Sequence, residues 1–149
     1  MPAEGGESRN PQSPPQGGLF FLIISSRAVI FANGEVKDLA AVQAILRPDD
    51  FRIAADGGMK HLSRLGLLPQ LLIGDLDSIS AGEVEWLVQA GIQVEHHPPA
   101  KDETDLELAV AYASQAGYRE VVVIGALGGR IDQSLGNIFL LSDPRFSAM

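Results

Sequence analysis

The chain has 149 residues, 46% of them hydrophobic and 20% charged, with a formal net charge of −8 and no cysteine. That length makes one domain with a sizeable core, and the composition is that of an ordinary soluble globular protein. The acidic balance argues against a general nucleic-acid binder, whose phosphate partners recruit Lys and Arg. The lack of cysteine excludes disulfides, zinc–thiolate sites and thiol catalysis, and is compatible with a reducing cytoplasm, the location expected here.

Residues 1–18 are rich in Pro, Gly, Ser and Gln, have almost nothing to bury, and read as a disordered tail ahead of an α/β domain over residues 19–149. The apolar stretch 19–32 is only 14 residues long and is interrupted by Arg27, too short for a membrane span. Glu4 and Glu7 precede it, where a signal peptide would carry basic residues. It reads as one or two buried strands, with 27–32 the surer. Asn33-Gly34 is a turn pair, followed by a helix over about 38–46 that stops before Pro48. A second strand, 51–55, ends in Asp56-Gly57-Gly58, and the short helix after it places Leu62 and Leu65 on one face, with Gly66 as its stop. The third strand is 71–73. Ser80-Ala81-Gly82-Glu83 matches a capping box, opening a helix with Val84, Leu87 and Val88 inward and Gly91 at its end. A weaker strand covers 92–95. Thr104-Asp105-Leu106-Glu107 is a second capping-box pattern, and Leu106, Val110 and Ala113 carry the helical period up to Gly117. Residues 121–124 make a fifth strand, and a last helix carries Ile131, Leu135, Ile138 and Phe139.

Strands alternating with helices of this length imply βαβ units. The expected fold is therefore a three-layer, Rossmann-like α/β domain with a mainly parallel sheet and helices on both faces. In such a sheet the loops that follow the strands share one edge, where ligands gather. Four of them carry chemistry-grade residues: Asp56-Gly57-Gly58, Asp75-Leu76-Asp77-Ser78, Lys101-Asp102-Glu103-Thr104-Asp105, and the run from Gly125 through Gly128, Gly129 and Arg130 to Asp132.

If strand geometry persists past Gly74, Asp75 and Asp77 point to one side and repel unless a cation joins them. The hard, oxygen-seeking cation suited to carboxylates that also hold phosphates is Mg²⁺. Asp102 and Asp105 sit three apart around a helix start, where one can cap the helix while the other projects beside it. Gly57 and Gly58 allow close backbone approach to an anion, and Lys101 and Arg130 supply charge for a polyphosphate. Each block also has a plain structural reading as a turn, a cap or a solvated charge. The glycines after the fifth strand match neither GxGxxG nor a Walker loop. His61, His96 and His97 lack metal-ligand spacing and read as surface or packing residues, and Ser78 has no paired His.

Taken in order, Asn33-Gly34-Glu35, Ala55-Asp56-Gly57-Gly58, Ile73-Gly74-Asp75-Leu76-Asp77-Ser78, Lys101-Asp102-Glu103-Thr104-Asp105-Leu106-Glu107 and Gly128-Gly129-Arg130-Ile131-Asp132 resemble the catalytic domain of the thiamine pyrophosphokinase family, over about residues 28–144. The resemblance implies transfer of the β,γ-pyrophosphoryl group of ATP to the hydroxyethyl oxygen of thiamine, releasing AMP. It implies that Asp75, Asp77, Asp102 and Asp105 form the catalytic acids, with Asp75, Asp77 and Asp102 holding Mg²⁺. Asp56, Gly57, Gly58, Lys101, Thr104, Gly128, Gly129, Arg130 and Asp132 would position the nucleotide.

The family commonly has His where this chain has Gln133, which hydrogen-bonds but carries no proton. Its members continue into an all-β domain that helps enclose thiamine across a homodimer interface, so this chain is expected to hold the nucleotide half. Two other functions are weighed: a non-catalytic Mg-nucleotide-binding or dimerisation module, and a haloacid-dehalogenase-like phosphatase built on Asp75-Leu76-Asp77.

Overall fold

The computed structural model describes residues 27–99 and 102–149, so the expected tail, the stretch 19–26 and Lys101 lie outside the described residues. Five strands, β1 (Arg27–Phe31), β2 (Phe51–Ala55), β3 (Leu71–Gly74), β4 (Gln93–His96) and β5 (Glu120–Ile124), form one sheet in the order β4-β3-β2-β1-β5. Every pairing is parallel, with Ala28 opposite Phe51 and Val121, Ile53 opposite Leu71, and Leu71 opposite Gln93. Parallel strands need crossovers, supplied by α1 (Leu39–Ile45), α2 (Met59–Arg64), α3 (Ala81–Gln89) and α4 (Asp105–Gln115), with α5 (Ile131–Leu140) after β5.

Alternation along the strands sorts the core into two layers. Ala28, Ile30, Ile53, Ala55, Leu71 and Ile73 face Leu106, Ala109, Val110 and Ala113 of α4. On the other face Val29, Phe31, Ala54 and Leu72 meet Val42, Leu62 and Leu87 of α1, α2 and α3. Burial on both sides is why β1 and β3 read as unbroken apolar runs. The three-layer expectation holds, with a sheet that is parallel throughout the described residues.

Local signals explain the helix starts. Asp38 caps α1 by accepting from the Ala41 N–H at 2.9 Å. Ser80 and Glu83 form the full capping box of α3: the Glu83 N–H donates to Ser80 Oγ, and Glu83 Oε2 accepts from the Ser80 N–H at 2.9 Å. Thr104 caps α4 with only half of that box, because the Glu107 carboxylate accepts from Arg145 Nη2 instead.

One burial expectation is corrected. In α3 Leu87 is buried and Val84 half-buried, but Val88 is exposed, since the helix meets the sheet along a narrower stripe than its apolar sequence suggests. In α5 Ile131, Leu135, Ile138 and Phe139 are all exposed, up to 77% for Ile131. The apolar face is present; among the described residues nothing covers it. No helix of the described residues is long and apolar enough to cross a membrane.

At the opposite end of the sheet from the strand exits, Arg27 and Asp50 form a buried ion pair. Arg27 Nε and Nη2 donate to the two Asp50 oxygens at 2.7 and 2.6 Å, and the Arg47 N–H adds a third bond at 2.7 Å. Burial by itself pushes the Asp50 carboxyl up. The Arg27 and Arg47 hydrogen bonds and their charges outweigh it and hold the group below its ordinary value.

Candidate metal and nucleotide site

The strand order reverses between β1 and β5, and the loops leaving them line a crevice at the carboxyl edge of the sheet. Pairing continues past the strand ends there: the Ala32 N–H donates to Ile124 O and the Gly34 N–H to Gly125 O, both at 2.8 Å. A cleft of about 1070 Å³ opens at this point, walled by Asn33–Glu35, Asp56, Lys60, Thr104–Glu107 and the run from Gly125 into α5.

Three carboxylates converge at its mouth. Asp56 opens a 3-10 turn, Asp56–Gly58, directly after β2, with φ 42°. Asp75 follows the last residue of β3, and Asp105 is the first residue of α4. One oxygen from each of Asp56, Asp75 and Asp105 lies within 4.8 Å of the others, and all three residues are half-buried. Gly74 makes this approach possible. Its φ is 143°, and a Cβ there would sit 3.0 Å from both Asp105 Cγ and Asp56 Cβ, wedging the cluster apart.

Burial raises the Asp56 pKa. The Ser78 hydroxyl, donating to Asp56 Oδ1 at 3.1 Å, opposes this, while the charges of Asp75 and Asp105 push it up further. A carboxylate raised by its neighbours in this way is relieved by a shared cation. The donor set offers hard carboxylate oxygens and no softer ligand, which fits a hard divalent ion.

The other sequence candidates lie as follows. β3 stops at Gly74 and Leu76 takes φ 64°, so the alternation argument for Asp75 and Asp77 does not apply. Instead the Asp77 N–H donates to Asp75 Oδ1 at 3.1 Å, an Asx turn, and the Asp77 side chain is exposed. Asp102 is likewise exposed, and neither joins the three-carboxylate group among the described residues. Gly57 is half-buried and Gly58 buried, both in the turn that opens at Asp56. Thr104, Gly128, Gly129, Arg130, Asp132 and Gln133 all line the cleft. Arg130 is paired rather than open to solvent anions: its Nε and Nη2 donate to Asp132 Oδ1 and Oδ2 at 3.1 and 2.7 Å. This pairing raises the Arg130 pKa and lowers that of Asp132.

Sequence reasoning passed over three residues here. Ser78, which has no His to make it a nucleophile, supports Asp56 instead. Lys60 lines the cleft with Nζ donating to both Asn33 O and Asn33 Oδ1 at 2.8 Å. His61, read as a surface or packing residue, is 2% exposed, with Nε2 bonded to Gly34 O at 2.8 Å. Lys60 and His61 follow directly on the Asp56-Gly57-Gly58 turn at the start of α2, and Ser78 closes the Asp75-Leu76-Asp77-Ser78 block. His97 is half-buried, and His96 exposed.

Comparison with known proteins bears on the family and the fold. A thiamine pyrophosphokinase of Bacillus subtilis is 36% identical over 89 residues, covering 60% of this chain and 42% of its own length. The crystal structure of an Enterococcus faecalis thiamin pyrophosphokinase family protein superposes with a TM-score of 0.66 at 32% identity, over 83% of this chain and 57% of the other. The B. subtilis crystal structure gives 0.63 at 31%, over 78% and 54%. The chain thus spans about half the length of the relatives it matches. A family model described as "Thiamin pyrophosphokinase, catalytic domain" matches residues 42–149. The chain belongs to the thiamin pyrophosphokinase catalytic-domain family.

Proposed function

We propose that this chain supplies the nucleotide- and metal-binding half of a Mg²⁺-dependent thiamine pyrophosphokinase. The observation that carries this is the convergence of Asp56, Asp75 and Asp105 at the mouth of the cleft. In the reaction the hydroxyethyl oxygen of thiamine bonds to the β-phosphorus of ATP. The α,β bridging bond breaks, and AMP leaves with its electron pair.

Bound Mg²⁺ would neutralise polyphosphate charge, the main requirement of such a transfer. Asp56, Asp75 and Asp105 would hold it, with Asp77 and Asp102 reaching it from their exposed positions on neighbouring loops. An aspartate of this set would take the hydroxyl proton. Gly57, Gly58, Lys101, Thr104, Gly128 and Gly129 would bring backbone and side-chain donors to the phosphates. The Arg130–Asp132 pair and Gln133 would bound the nucleotide on the α5 side.

A homodimer in the cytoplasm is part of the proposal. The exposed apolar side of α5 supports the first, and the cysteine-free sequence is compatible with the second. The family match sets aside the phosphatase reading of Asp75-Leu76-Asp77. A second reading is Mg-nucleotide binding without turnover, since the carboxylate cluster would hold a metal whether or not transfer follows.

The test is AMP and thiamine diphosphate formation from ATP and thiamine, with the chain alone and joined to the C-terminal part of a longer relative. Magnesium-dependent product from either form is expected. Absence of product from both, with nucleotide still bound, would favour the binding module; absence of binding as well would overturn both readings.

A further inference from the structure

The buried His61 is used by neither the metal cluster nor the phosphate-facing loops, yet it touches the backbone that walls the cleft. Because Gly34 O can only accept, Nε2 carries the proton and donates to it at 2.8 Å. The other ring nitrogen, Nδ1, is buried with no hydrogen-bond partner, so the ring makes its one polar contact with this carbonyl. The Gly34 N–H in turn donates to Gly125 O at 2.8 Å, linking the loops that leave β1 and β5.

There is no slack at this junction. A Cβ at Gly34 would reach Gly125 O and come within 2.7 Å of Leu127 O, and one at Gly125 would lie 3.4 Å from His61 Nε2. From the far side, Asn137 Nδ2 donates to Ala126 O at 2.6 Å. Gly34 and Gly125 both line the cleft that holds Asp56 and Asp105.

We infer that His61 is a positioning residue for the polyphosphate substrate: through Gly34 it sets the distance between the β1 and β5 loops, and so the width of the cleft. This rests on the reading of that cleft as the Mg-nucleotide site. At 2% exposure the ring cannot touch a nucleotide, so any effect on binding must pass through Gly34. Sites that hold a charged substrate by several fixed donors lose affinity when one wall is released by an ångström or less.

The test compares His61→Gln with His61→Asn in the full chain. The Gln amide nitrogen stands where Nε2 stands and keeps the donor, whereas the Asn amide ends near the Nδ1 position and falls short of Gly34 O. The probe is Mg²⁺ with α,β-methylene-ATP, which cannot be cleaved at the transferring bond, titrated calorimetrically. His61→Asn is expected to weaken Kd about tenfold, and His61→Gln to stay within about twofold of the parent. Amide resonances of Gly34 and Gly125 should move in the Asn variant and return in the Gln variant.

Equal Kd in both variants, with native melting, would overturn the inference, as would unmoved Gly34 and Gly125 resonances. Failure of the unaltered chain to bind the probe is a different result. It would remove the functional reading and the substrate role with it, while the resonances would still report whether His61 sets the turn.

Discussion

Replacing Asp75 by Asn takes one charge out of the carboxylate cluster while keeping the shape of the side chain and the oxygen that accepts the Asp77 N–H. Two like charges within 4.8 Å of each other repel by at least about 0.9 kcal/mol in a water-like dielectric and at least about 3.5 kcal/mol at an effective dielectric constant of about 20. Asp75 shares such a distance with both Asp56 and Asp105, so its neutralisation relieves about 2 kcal/mol at the watery limit. The cluster is only half-buried, so solvent and salt screen part of this repulsion. A net gain of about 1–2 kcal/mol is therefore expected, which is a rise in Tm of about 3–8 °C for a domain of this size.

The assay is thermal unfolding of the parent and Asp75→Asn in chelator-treated, mildly alkaline buffer, then with millimolar Mg²⁺. Without metal the variant should melt higher. With metal the parent should gain stability by mass action and the variant should gain little, so that the order narrows or inverts. A variant that melts below the parent in chelator, with the same response to Mg²⁺, would show that Asp75 is a structural turn residue. The metal reading of the cluster would then fail.

The Asp50–Arg27 pair predicts the acid limb of stability. Because folding lowers the Asp50 pKa below its ordinary 3.8, the stabilisation is present above that value and is lost as pH falls through the lower, folded one. Urea titrations should show this loss, and Asp50→Asn should flatten it at a cost of about 3–5 kcal/mol at neutral pH, by leaving the Arg27 charge buried without its partner; an unchanged acid limb would refute the assignment. Gly34→Ala should cost about 1–3 kcal/mol in denaturant unfolding, since its Cβ meets the carbonyls of Gly125 and Leu127 rather than a movable side chain. The same variant should weaken Mg²⁺–α,β-methylene-ATP binding by more than that loss of stability accounts for, and parent-like affinity would show that the β1–β5 junction does not shape the cleft.

Much of the fold was legible because its signals are local. Ala28–Phe31 and Leu71–Ile73 are buried on both faces and so are written as continuous apolar runs, and the Ser80 cap is complete within four residues. What was illegible depends on partners distant in the chain. Arg27 and Asp50 are 23 residues apart and meet only because β1 and β2 pair with Ala28 opposite Phe51. The apolar period of α5 announces a face, but a period says nothing of what lies against it, and Ile131 and Phe139 stay exposed. His61 follows directly on the Asp56-Gly57-Gly58 loop, but its bond to the Gly34 carbonyl, 27 residues back, has no sequence spacing to betray it.

The candidate site shows where such reading stops. That acids from the β2, β3 and α4 loops would share one edge follows from parallel topology alone. Which acids meet is decided by two backbone angles. β3 ends at Gly74, at φ 143°, and Leu76 turns left-handed at φ 64°, a conformation that costs about 1–3 kcal/mol for such a residue. That reversal directs the Asp77 N–H, rather than its carboxylate, toward Asp75. A Cβ at position 74 would come between Asp56 and Asp105, so glycine is required there by the cluster itself and not by the turn alone. Strain in Leu76 and repulsion among three acids both oppose folding in the absence of a counter-ion. Their persistence together at the mouth of one cleft is the pattern expected where stability is spent on binding a cation rather than on the fold.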